Sequence, residues 1–388
     1  MDFTYSEEQD AVRELANRIF TELVTNERLK EIELAAAEEG PFDRTLWSEL
    51  AGAGLLGIHL SEDDGGSGLD FVAACLVIEA AGRTAAYAPL VETMMYGAAP
   101  IAQFGTPGQR KAWLPGVSGG ETILTAAMAE LAGEVVLPGG TSPATTAKAQ
   151  PDGTWVVEGS KACVPAALVA DAILIPATCV APDGSAGGVG VFIVDAKAEG
   201  LAMTRQRTTS GRPEAIVELA GVNVAADRLL GGGDADGAAI ITYITELATT
   251  ALCVMEAGAC ATAVALTGEF TKTRVQFDKP IATFQAVAQR AADAYVDTEA
   301  VRLTAWQAAS RLSVGLPASA EVAVAKYWAA EGGQRVVHAA AHLHGGVSVD
   351  RDYPLHRFFL LTEHIELTLG GANESLRRLG RILAAEPA

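Results

Sequence analysis

The stretch "TRVQFDKPIATFQAV", residues 273–287, carries the strongest signal in the chain, because it sets unusual chemistry between two long Ala-rich runs. Arg274 offers a planar fork of donors that suits a pyrophosphate, and Gln276 and Gln285 offer amides that can read a ribose or an adenine. Phe277 adds an aromatic face that can pack beside a planar ring. The alternative is a plain connector between helices, with Arg274 in an ordinary surface ion pair. The combination favours a handle for a nucleotide-like cofactor.

The sequence around this stretch changes character twice, which predicts three domains. Residues 1–120 read as an N-terminal helical domain, since Ser6 and Gln9 have capping-box spacing and apolar residues then recur at helical intervals. Residues 121–232 hold short β-branched runs, such as "DAILIPATCV", that are separated by Gly, Pro and Asp and predict a small sheet or barrel. Residues 233–388 return to long helical runs, as in a helical bundle.

Composition excludes some classes of function. The chain has 388 residues, with 28 Lys and Arg against 48 Asp and Glu, so the formal net charge is −20. A strongly acidic surface disfavours nucleic-acid binding. The five cysteines form no CxxC pair, which indicates reduced thiols. The acidic N-terminus does not resemble a signal peptide, and we find no apolar run that predicts a membrane span. These features predict a cytoplasmic protein.

Five local motifs in order resemble the acyl-CoA dehydrogenase family over essentially the whole chain. They are "MDFTYSEEQDAVREL", "LAGAGLLGIHLSEDDGGSGLD", "VVEGSKACVPAALVAD", "TRVQFDKPIATFQAV" and "HLHGGVSVDRDYPLHRF". The fourth follows the family pattern R-x-Q-F-G-x-P-I-x-x-F-Q, with Asp278 in place of the usual Gly. The resemblance implies a mostly α fold with a β middle domain, namely an N-terminal helical domain, a small β-barrel or sheet domain and a C-terminal four-helix bundle.

The resemblance also implies a reaction and a cofactor. In the family, a carboxylate removes the proton next to the thioester carbonyl of an acyl-CoA, and FAD accepts a hydride from the following carbon. The residues that match the family's contacts to the FAD of the neighbouring subunit are Arg274, Gln276, Phe277, Gln285, His342, Gly345 and Gly346. The histidines in this region match no standard metal signature, so we predict no metal site.

Other family positions have lost their chemistry. Cys163 stands where the family has an aromatic residue that shields the flavin, and Pro165 stands where a Ser or Thr donates to it. The base is also hard to place, because its two family positions fall on Ala248 and Gly370. The nearby substitutes are Glu246, which projects about 200° around the helix from Ala248, and Glu366, about one turn before Gly370.

Contacts that serve a neighbour's FAD are therefore kept, whereas those that serve the chain's own FAD are lost. The leading hypothesis is a degenerate partner subunit of a heterotetramer (α2β2) that contains a second acyl-CoA dehydrogenase-like chain. Its substrate would be an acyl-CoA or a steroid-CoA thioester, since the chain resembles the subunits of actinobacterial steroid-CoA dehydrogenases. The alternatives are a self-sufficient homotetrameric dehydrogenase with Glu246 as catalytic base, and a flavin monooxygenase of the same fold.

Overall fold

The computed structural model describes residues 4–36, 39–132, 134–140 and 142–385, and these contain twelve α-helices, two π-helical segments and ten strands. The helices are α1 (Glu7–Leu23), α2 (Asn26–Ala35), α3 (Arg44–Gly52), α4 (Phe71–Thr84), α5 (Ala99–Phe104), α6 (Pro107–Gly119), α7 (Gly237–Thr273), α8 (Gln285–Ser313), α9 (Ser319–Tyr327), α10 (Gly333–His344), α11 (Leu355–Leu367) and α12 (Ala372–Ala385). The π-helical segments are Val91–Ala98 and Trp328–Gly332.

The strands are β1 (Leu124–Ala126), β2 (Ala129–Glu130), β3 (Thr146–Ala149), β4 (Trp155–Pro165), β5 (Ala172–Val180), β6 (Ala186–Asp195), β7 (Leu201–Gln206), β8 (Glu214–Val224), β9 (Val275–Gln276) and β10 (Lys279–Pro280). Helices therefore come first, a β region follows and helices return. This confirms the predicted mostly α fold with a β middle domain. The domain boundaries at 120 and 232 stay predictions.

One compact unit comprises residues 1–31, 71–86 and 249–388. Its core is a buried apolar cluster that α4, α7, α8 and α9 share, with Trp306 among its members. α4 and α7 cross closely because each has a glycine at the crossing. A Cβ atom on Gly82 would lie 2.0 Å from the carbonyl oxygen of Met255, and one on Gly258 would lie 2.3 Å from that of Glu79. Any larger residue at either glycine would push the two helices apart.

The other compact unit comprises residues 32–70 and 87–248 and is built on an eight-stranded sheet among the described residues. The main strand order is β1-β5-β3-β4-β8-β7, with β2 on β4 and β6 on β5. β5 pairs in parallel with β1 and β3, while the other pairs are antiparallel. The alternating residues that face inward form the core, which includes Val157, Ile175, Phe192 and Val217.

α7 is long and apolar enough to cross a membrane, and it is the one such helix among the described residues. However, 72% of its most apolar 18-residue window is buried inside the protein. This burial identifies α7 as a core helix, since helix length and apolarity alone do not distinguish a core helix from a membrane span.

Candidate functional site

The predicted cofactor handle forms a short exposed arm after α7. Gln276 pairs with Lys279 and Val275 with Pro280, so β9 and β10 form a hairpin with a two-residue turn. Both turn residues are left-handed, Phe277 with φ of 53° and Asp278 with φ of 63°. A type I′ turn requires this conformation, and after Gly and Asn it tolerates Asp best. The departure from Gly at residue 278 is therefore compatible with the hairpin.

Hydrogen bonds fix the backbone of the arm, while the side chains of Arg274 and Gln285 are open to solvent. The Arg274 amide donates to the Phe270 carbonyl at 2.8 Å, and the Ile281 amide donates to the Arg274 carbonyl at 2.9 Å. The side chains of Arg274 and Gln285 are exposed, and the described part of the chain supplies no ion pair to Arg274. The alternative in which Arg274 is held in a surface ion pair of its own chain therefore has no support.

The aromatic residues of the arm pack on each other and not into a core. Phe277 is 85% exposed and meets Phe284 edge to face, with ring centroids 6.0 Å apart. The Lys279 ammonium lies 4.4 Å from the centre of the Phe284 ring. Exposure continues into α8, where Tyr295 and Val296 are 58% and 64% exposed. The side chains of Phe277, Tyr295 and Val296 are therefore open to contact from outside the chain.

The second predicted segment begins where α10 ends at His344. Gly345 has φ of 60° and ψ of −139°, a combination that is essentially restricted to glycine. Nothing lies within 4 Å of the position that a Cβ atom would take on Gly345 or on Gly346, so the backbone there is accessible. The Ser348 hydroxyl donates to the Gly345 carbonyl at 2.7 Å and fixes the turn. His342, one turn earlier, is exposed.

The structure joins these two segments through aromatic rings. Phe270, in the last turn of α7, stacks on His344 with ring centroids 4.3 Å apart and an angle of 25° between the rings. Tyr353 contacts both rings and completes the group. The arm that begins at Arg274 and the loop that begins at Gly345 are thus neighbours in space. Sequence reasoning did not find Phe270, although an aromatic residue four positions before Arg274 was visible.

The family's flavin-ring position lies on β4 of the sheet, and its residues are unlike those of the family. Cys163 lies at a bulge, has φ of 48° and is exposed, and its amide donates to the Gln206 side chain at 2.6 Å. Pro165 pairs with Glu214 on β8, and its carbonyl accepts from the Thr125 hydroxyl at 2.7 Å. Proline has neither a hydroxyl nor an amide hydrogen to donate.

Glu214 places a buried carboxyl in this region, and the positive charge of Arg212 partly offsets it. The residue is 6% exposed, and burial together with the neighbouring charge of Glu92 raises the pKa of its carboxyl to about 7. Burial also raises the pKa of Glu92, which lies in the first π-helical segment. Two ionised carboxylates in one poorly solvated place would repel each other, so the pair favours a state in which one carboxyl keeps its proton. Sequence reasoning missed this pair, because 122 residues separate the two positions.

A buried ion pair holds the strands beside this region. The Lys161 ammonium lies 2.5 Å from the Glu130 carboxylate and 2.8 Å from the Pro176 carbonyl, and the lysine side chain is fully buried. The Thr145 hydroxyl donates to the other Glu130 oxygen at 2.9 Å. Glu130 on β2 and Lys161 on β4 therefore serve the sheet itself, with their hydrogen-bonding capacity used inside the protein.

No carboxylate occupies either family position of the base. Ala248 is fully buried in α7, and Gly370 has φ of 95° after the end of α11. Glu246 is half-buried on α7. Glu366 lies in the last turn of α11, where burial and the neighbouring Glu363 raise its pKa.

A different glutamate is fully buried in α7, and sequence reasoning overlooked it. Glu256 accepts hydrogen bonds from the Thr362 hydroxyl at 2.8 Å and from the Cys260 thiol at 3.0 Å. Its Oε2 atom is buried with no hydrogen-bond partner among the described residues. Burial raises the pKa of Glu256 to about 8, so it is mostly protonated at neutral pH. The sequence did carry a signal for this residue, because Glu256 is the lone acid in the apolar run "ALCVMEAGACATAVAL".

The described residues contain no group of three or more His, Cys, Asp and Glu side chains placed to hold a metal ion.

Comparison with known proteins places this geometry in a family. Models of the N-terminal, middle and C-terminal domains of acyl-CoA dehydrogenase match residues 6–121, 139–222 and 235–382. The acyl-CoA dehydrogenase FadE27 of Mycobacterium tuberculosis is 36% identical over 396 residues, covering 100% of both chains.

Two solved structures are similar over nearly the full length. A chain of the ChsE4-ChsE5 complex from Mycobacterium tuberculosis is 36% identical, with a TM-score of 0.89 and 100% coverage of both chains. A chain of a variant of the Tcur3481-Tcur3483 steroid ACAD is 41% identical, with a TM-score of 0.86, and the match covers 97% of this chain and 98% of that one. The fold expected from the sequence motifs is thus confirmed, and the chain belongs to the acyl-CoA dehydrogenase family, whose members are oxidoreductases that act on CH–CH bonds.

Proposed function

We propose that this chain is the degenerate partner subunit of an FAD-dependent acyl-CoA dehydrogenase and works in the cytoplasm. It contributes contacts to an FAD whose flavin ring lies in the active site of another subunit. One contrast supports the proposal above all others. The Arg274 arm is intact and exposed, whereas Pro165 and Glu214 occupy the position at which this chain would hold its own flavin ring.

The arm fits the pyrophosphate and nucleoside half of FAD. Arg274 is exposed and unpaired within the described residues, so its guanidinium is available for a bidentate contact to phosphate. Gln276 and Gln285 are exposed beside it, and the backbone at Gly345 and Gly346 is open to close approach. His342 and Phe277 are exposed as well. A ligand that comes from outside the chain reaches all of these groups.

The residues on β4 also support the proposal, because they lack the chemistry that a flavin ring needs. FAD accepts a hydride in the family's reaction, so negative charge on the ring increases. A site that assists this step presents donors to the ring. Here Pro165 presents none, Cys163 has replaced the shielding aromatic residue, and the carboxyl groups of Glu214 and Glu92 add negative charge when ionised. These side chains oppose the chemistry that a working pocket supports.

The absence of a base at either family position supports the same assignment. Ala248 and Gly370 cannot accept a proton, and a carboxylate displaced by a helical turn, as Glu366 is, loses the geometry that proton abstraction needs. The partner chain would supply both the base and the flavin-ring pocket.

Two related structures favour a specific kind of partner and substrate. One is a complex of two components, ChsE4 and ChsE5, and the other is a steroid ACAD that pairs Tcur3481 with Tcur3483. We propose that this chain assembles with a second acyl-CoA dehydrogenase-like chain into an α2β2 heterotetramer. Its substrate is a CoA thioester with a steroid-derived acyl group, which the complex dehydrogenates between the α and β carbons.

Co-expression with the acyl-CoA dehydrogenase-like chain encoded beside it tests this proposal. The expected product is a heteromeric complex by native mass spectrometry that turns over a steroid-CoA thioester, while this chain alone is inactive. Turnover of any acyl-CoA by the isolated chain would overturn the partner assignment. A homotetramer in the presence of the second chain would do the same.

A further inference from the structure

We propose that His344 is a positioning residue that holds the Arg274 arm and the Gly345 loop in one fixed geometry toward the FAD of the neighbouring subunit. This inference rests on the proposed function, because it assigns a role within that same site. It concerns a side chain that itself reaches no ligand. His344 is 4% exposed, whereas the residues that follow it are open to solvent.

The first observation is the short path between the two segments. The His344 ring stacks on Phe270 at 4.3 Å between centroids, and the Phe270 carbonyl accepts the amide of Arg274 at 2.8 Å. Gly345 follows His344 directly in the chain. A single ring contact therefore lies between the backbone that carries Arg274 and the glycine backbone that the ligand approaches.

The second observation is that hydrogen bonds fix both nitrogen atoms of the His344 ring. Nδ1 lies 2.8 Å from the Ala340 carbonyl, which can only accept, so Nδ1 carries the hydrogen. Nε2 lies 3.1 Å from the Tyr353 hydroxyl and then accepts from it. Burial lowers the pKa of His344, which favours this neutral form. With both nitrogens engaged, the ring has one orientation against Phe270.

The third observation is that the far end of the loop is anchored too. The Lys30 ammonium pairs with the Asp352 carboxylate at 2.7 Å, and the Asn26 amide donates to the Asp352 carbonyl at 2.9 Å. The buried Arg357 guanidinium donates to the Asn26 side chain at 2.6 Å. The loop from Gly345 to Tyr353 is thus held at both ends, so its ordering does not have to be supplied by FAD when it binds.

A positioning role and a merely structural role predict different results. If His344 only fills space, replacing it lowers thermal stability and leaves FAD affinity intact in the folded complex. If His344 positions the site, replacing it weakens FAD binding and loosens both segments together. FAD affinity and the loosening of the two segments are independent readouts, because the loosening is measured on backbone amides that the ligand does not have to contact.

The test uses His344→Leu, His344→Phe and Tyr353→Phe. His344→Phe keeps a ring on Phe270 and removes both hydrogen bonds, while Tyr353→Phe removes one hydroxyl only. His338→Leu is the matched control, because His338 lies on the same helix and contacts Phe359 and Glu363 away from the loop. Each variant is assembled with the partner chain, stripped of flavin and titrated with FAD, and its melting temperature is recorded.

We expect His344→Leu to weaken FAD binding by roughly tenfold or more, which corresponds to about 1.4 kcal/mol. His344→Phe and Tyr353→Phe should fall between wild type and His344→Leu, and His338→Leu should match wild type. FAD affinity unchanged in His344→Leu would overturn the inference. So would a loss of affinity in His338→Leu as large as in His344→Leu. If His344→Leu fails to fold, the two milder variants decide by the same criteria.

Hydrogen exchange on the isolated chain separates this inference from the proposed function. His344→Leu should speed the exchange of amides in residues 274–281 and 345–349 together, with no FAD present. Faster exchange in only one of the two segments would contradict the proposal that His344 holds both segments together. A wild-type complex that takes up no FAD would instead refute the proposed function, whatever the exchange experiment shows.

Discussion

Pro165 on β4 and Glu214 on β8 are paired across neighbouring strands, so a residue without a donor lies opposite a buried carboxyl. We propose that the pair lies where the family holds the flavin ring. Neither residue alone explains the loss, since a proline removes a hydrogen bond and a carboxyl adds a charge. Together they leave a site in which Pro165 supplies no hydroxyl or amide donor and a titratable carboxyl lies opposite it.

Repair of this pair should restore some flavin binding to the isolated chain. The double variant Pro165→Thr with Glu214→Gln supplies a hydroxyl and removes the titrating carboxyl. Each good neutral hydrogen bond contributes about 1 kcal/mol, so we expect FAD affinity to rise by roughly fivefold or more. Glu218→Gln, at an exposed position of the same strand, is the control and should change nothing. Equal affinity in the repaired and control variants would show that these residues do not set the loss.

Arg274→Ala should weaken the binding of FAD by the complex without disturbing its assembly. The side chain is exposed and unpaired within the described residues, so its removal leaves no buried partner unsatisfied. A charge-assisted hydrogen bond contributes about 1.5–3 kcal/mol, which predicts roughly ten- to hundredfold weaker binding in a fluorescence titration. Arg290→Ala, on the exposed start of α8, is the control. Equal effects of the two substitutions would indicate a general loss of positive charge.

Glu246→Gln should leave turnover by the complex within roughly twofold of wild type, because we propose that the partner chain supplies the base. The substitution keeps the size of the side chain and removes its basicity. Steady-state turnover of the preferred CoA thioester is the measurement. Loss of activity in a complex that still binds FAD would identify Glu246 as the base and favour the self-sufficient dehydrogenase.

Glu256→Gln should remove a pH dependence of stability. Burial raises the pKa of Glu256 from 4.5 to about 8, so the folded state favours the protonated form. The wild type must therefore lose stability as the pH rises from the unfolded pKa toward the folded one, by an amount on the order of a few kcal/mol. Glutamine mimics the protonated side chain and does not titrate, so the variant should keep that stability.

Denaturant unfolding of the isolated chain between about pH 5 and pH 7.5 measures this effect. The window lies below the pKa of Lys326, which burial lowers to about 8, and Glu214, whose pKa of about 7 lies inside the window, contributes equally to wild type and variant. Glu269→Gln, an exposed site on the same helix, should follow the wild-type curve. Parallel curves for Glu256→Gln and wild type would show that Glu256 is ionised in the folded protein.

Local motifs predicted the architecture and marked residues 273–287 as a cofactor handle, because a helical period and a family motif are both read from contiguous residues. The hairpin of β9 and β10 was not predicted. The sequence also showed that Asp278 departs from the family's Gly, but only the positive φ of Asp278 in the structure explains why the hairpin tolerates it. The contacts that join distant positions were not accessible in this way. Phe270 meets His344 across 74 residues of chain, and Glu256 meets Thr362 across 106.

The position of the catalytic base was also predicted from contiguous sequence. Counting along the chain assigned Ala248 and Gly370 to the family positions of the base, and this assignment stays a prediction. Counting could not reveal that Glu214 lies opposite Pro165, because strand register depends on bulges in β4. The sequence motifs predict a damaged pocket, which stays a prediction, and the pairing of strands adds that Glu214 lies opposite Pro165.

The ratio of FAD to protein shows whether this chain or its partner holds the flavin ring. The chain is purified alone and in complex with its partner, both after incubation with excess FAD and removal of unbound flavin. Our account predicts essentially no FAD on the isolated chain and one FAD for each pair of unlike chains in the complex. One FAD for each copy of the isolated chain would contradict it.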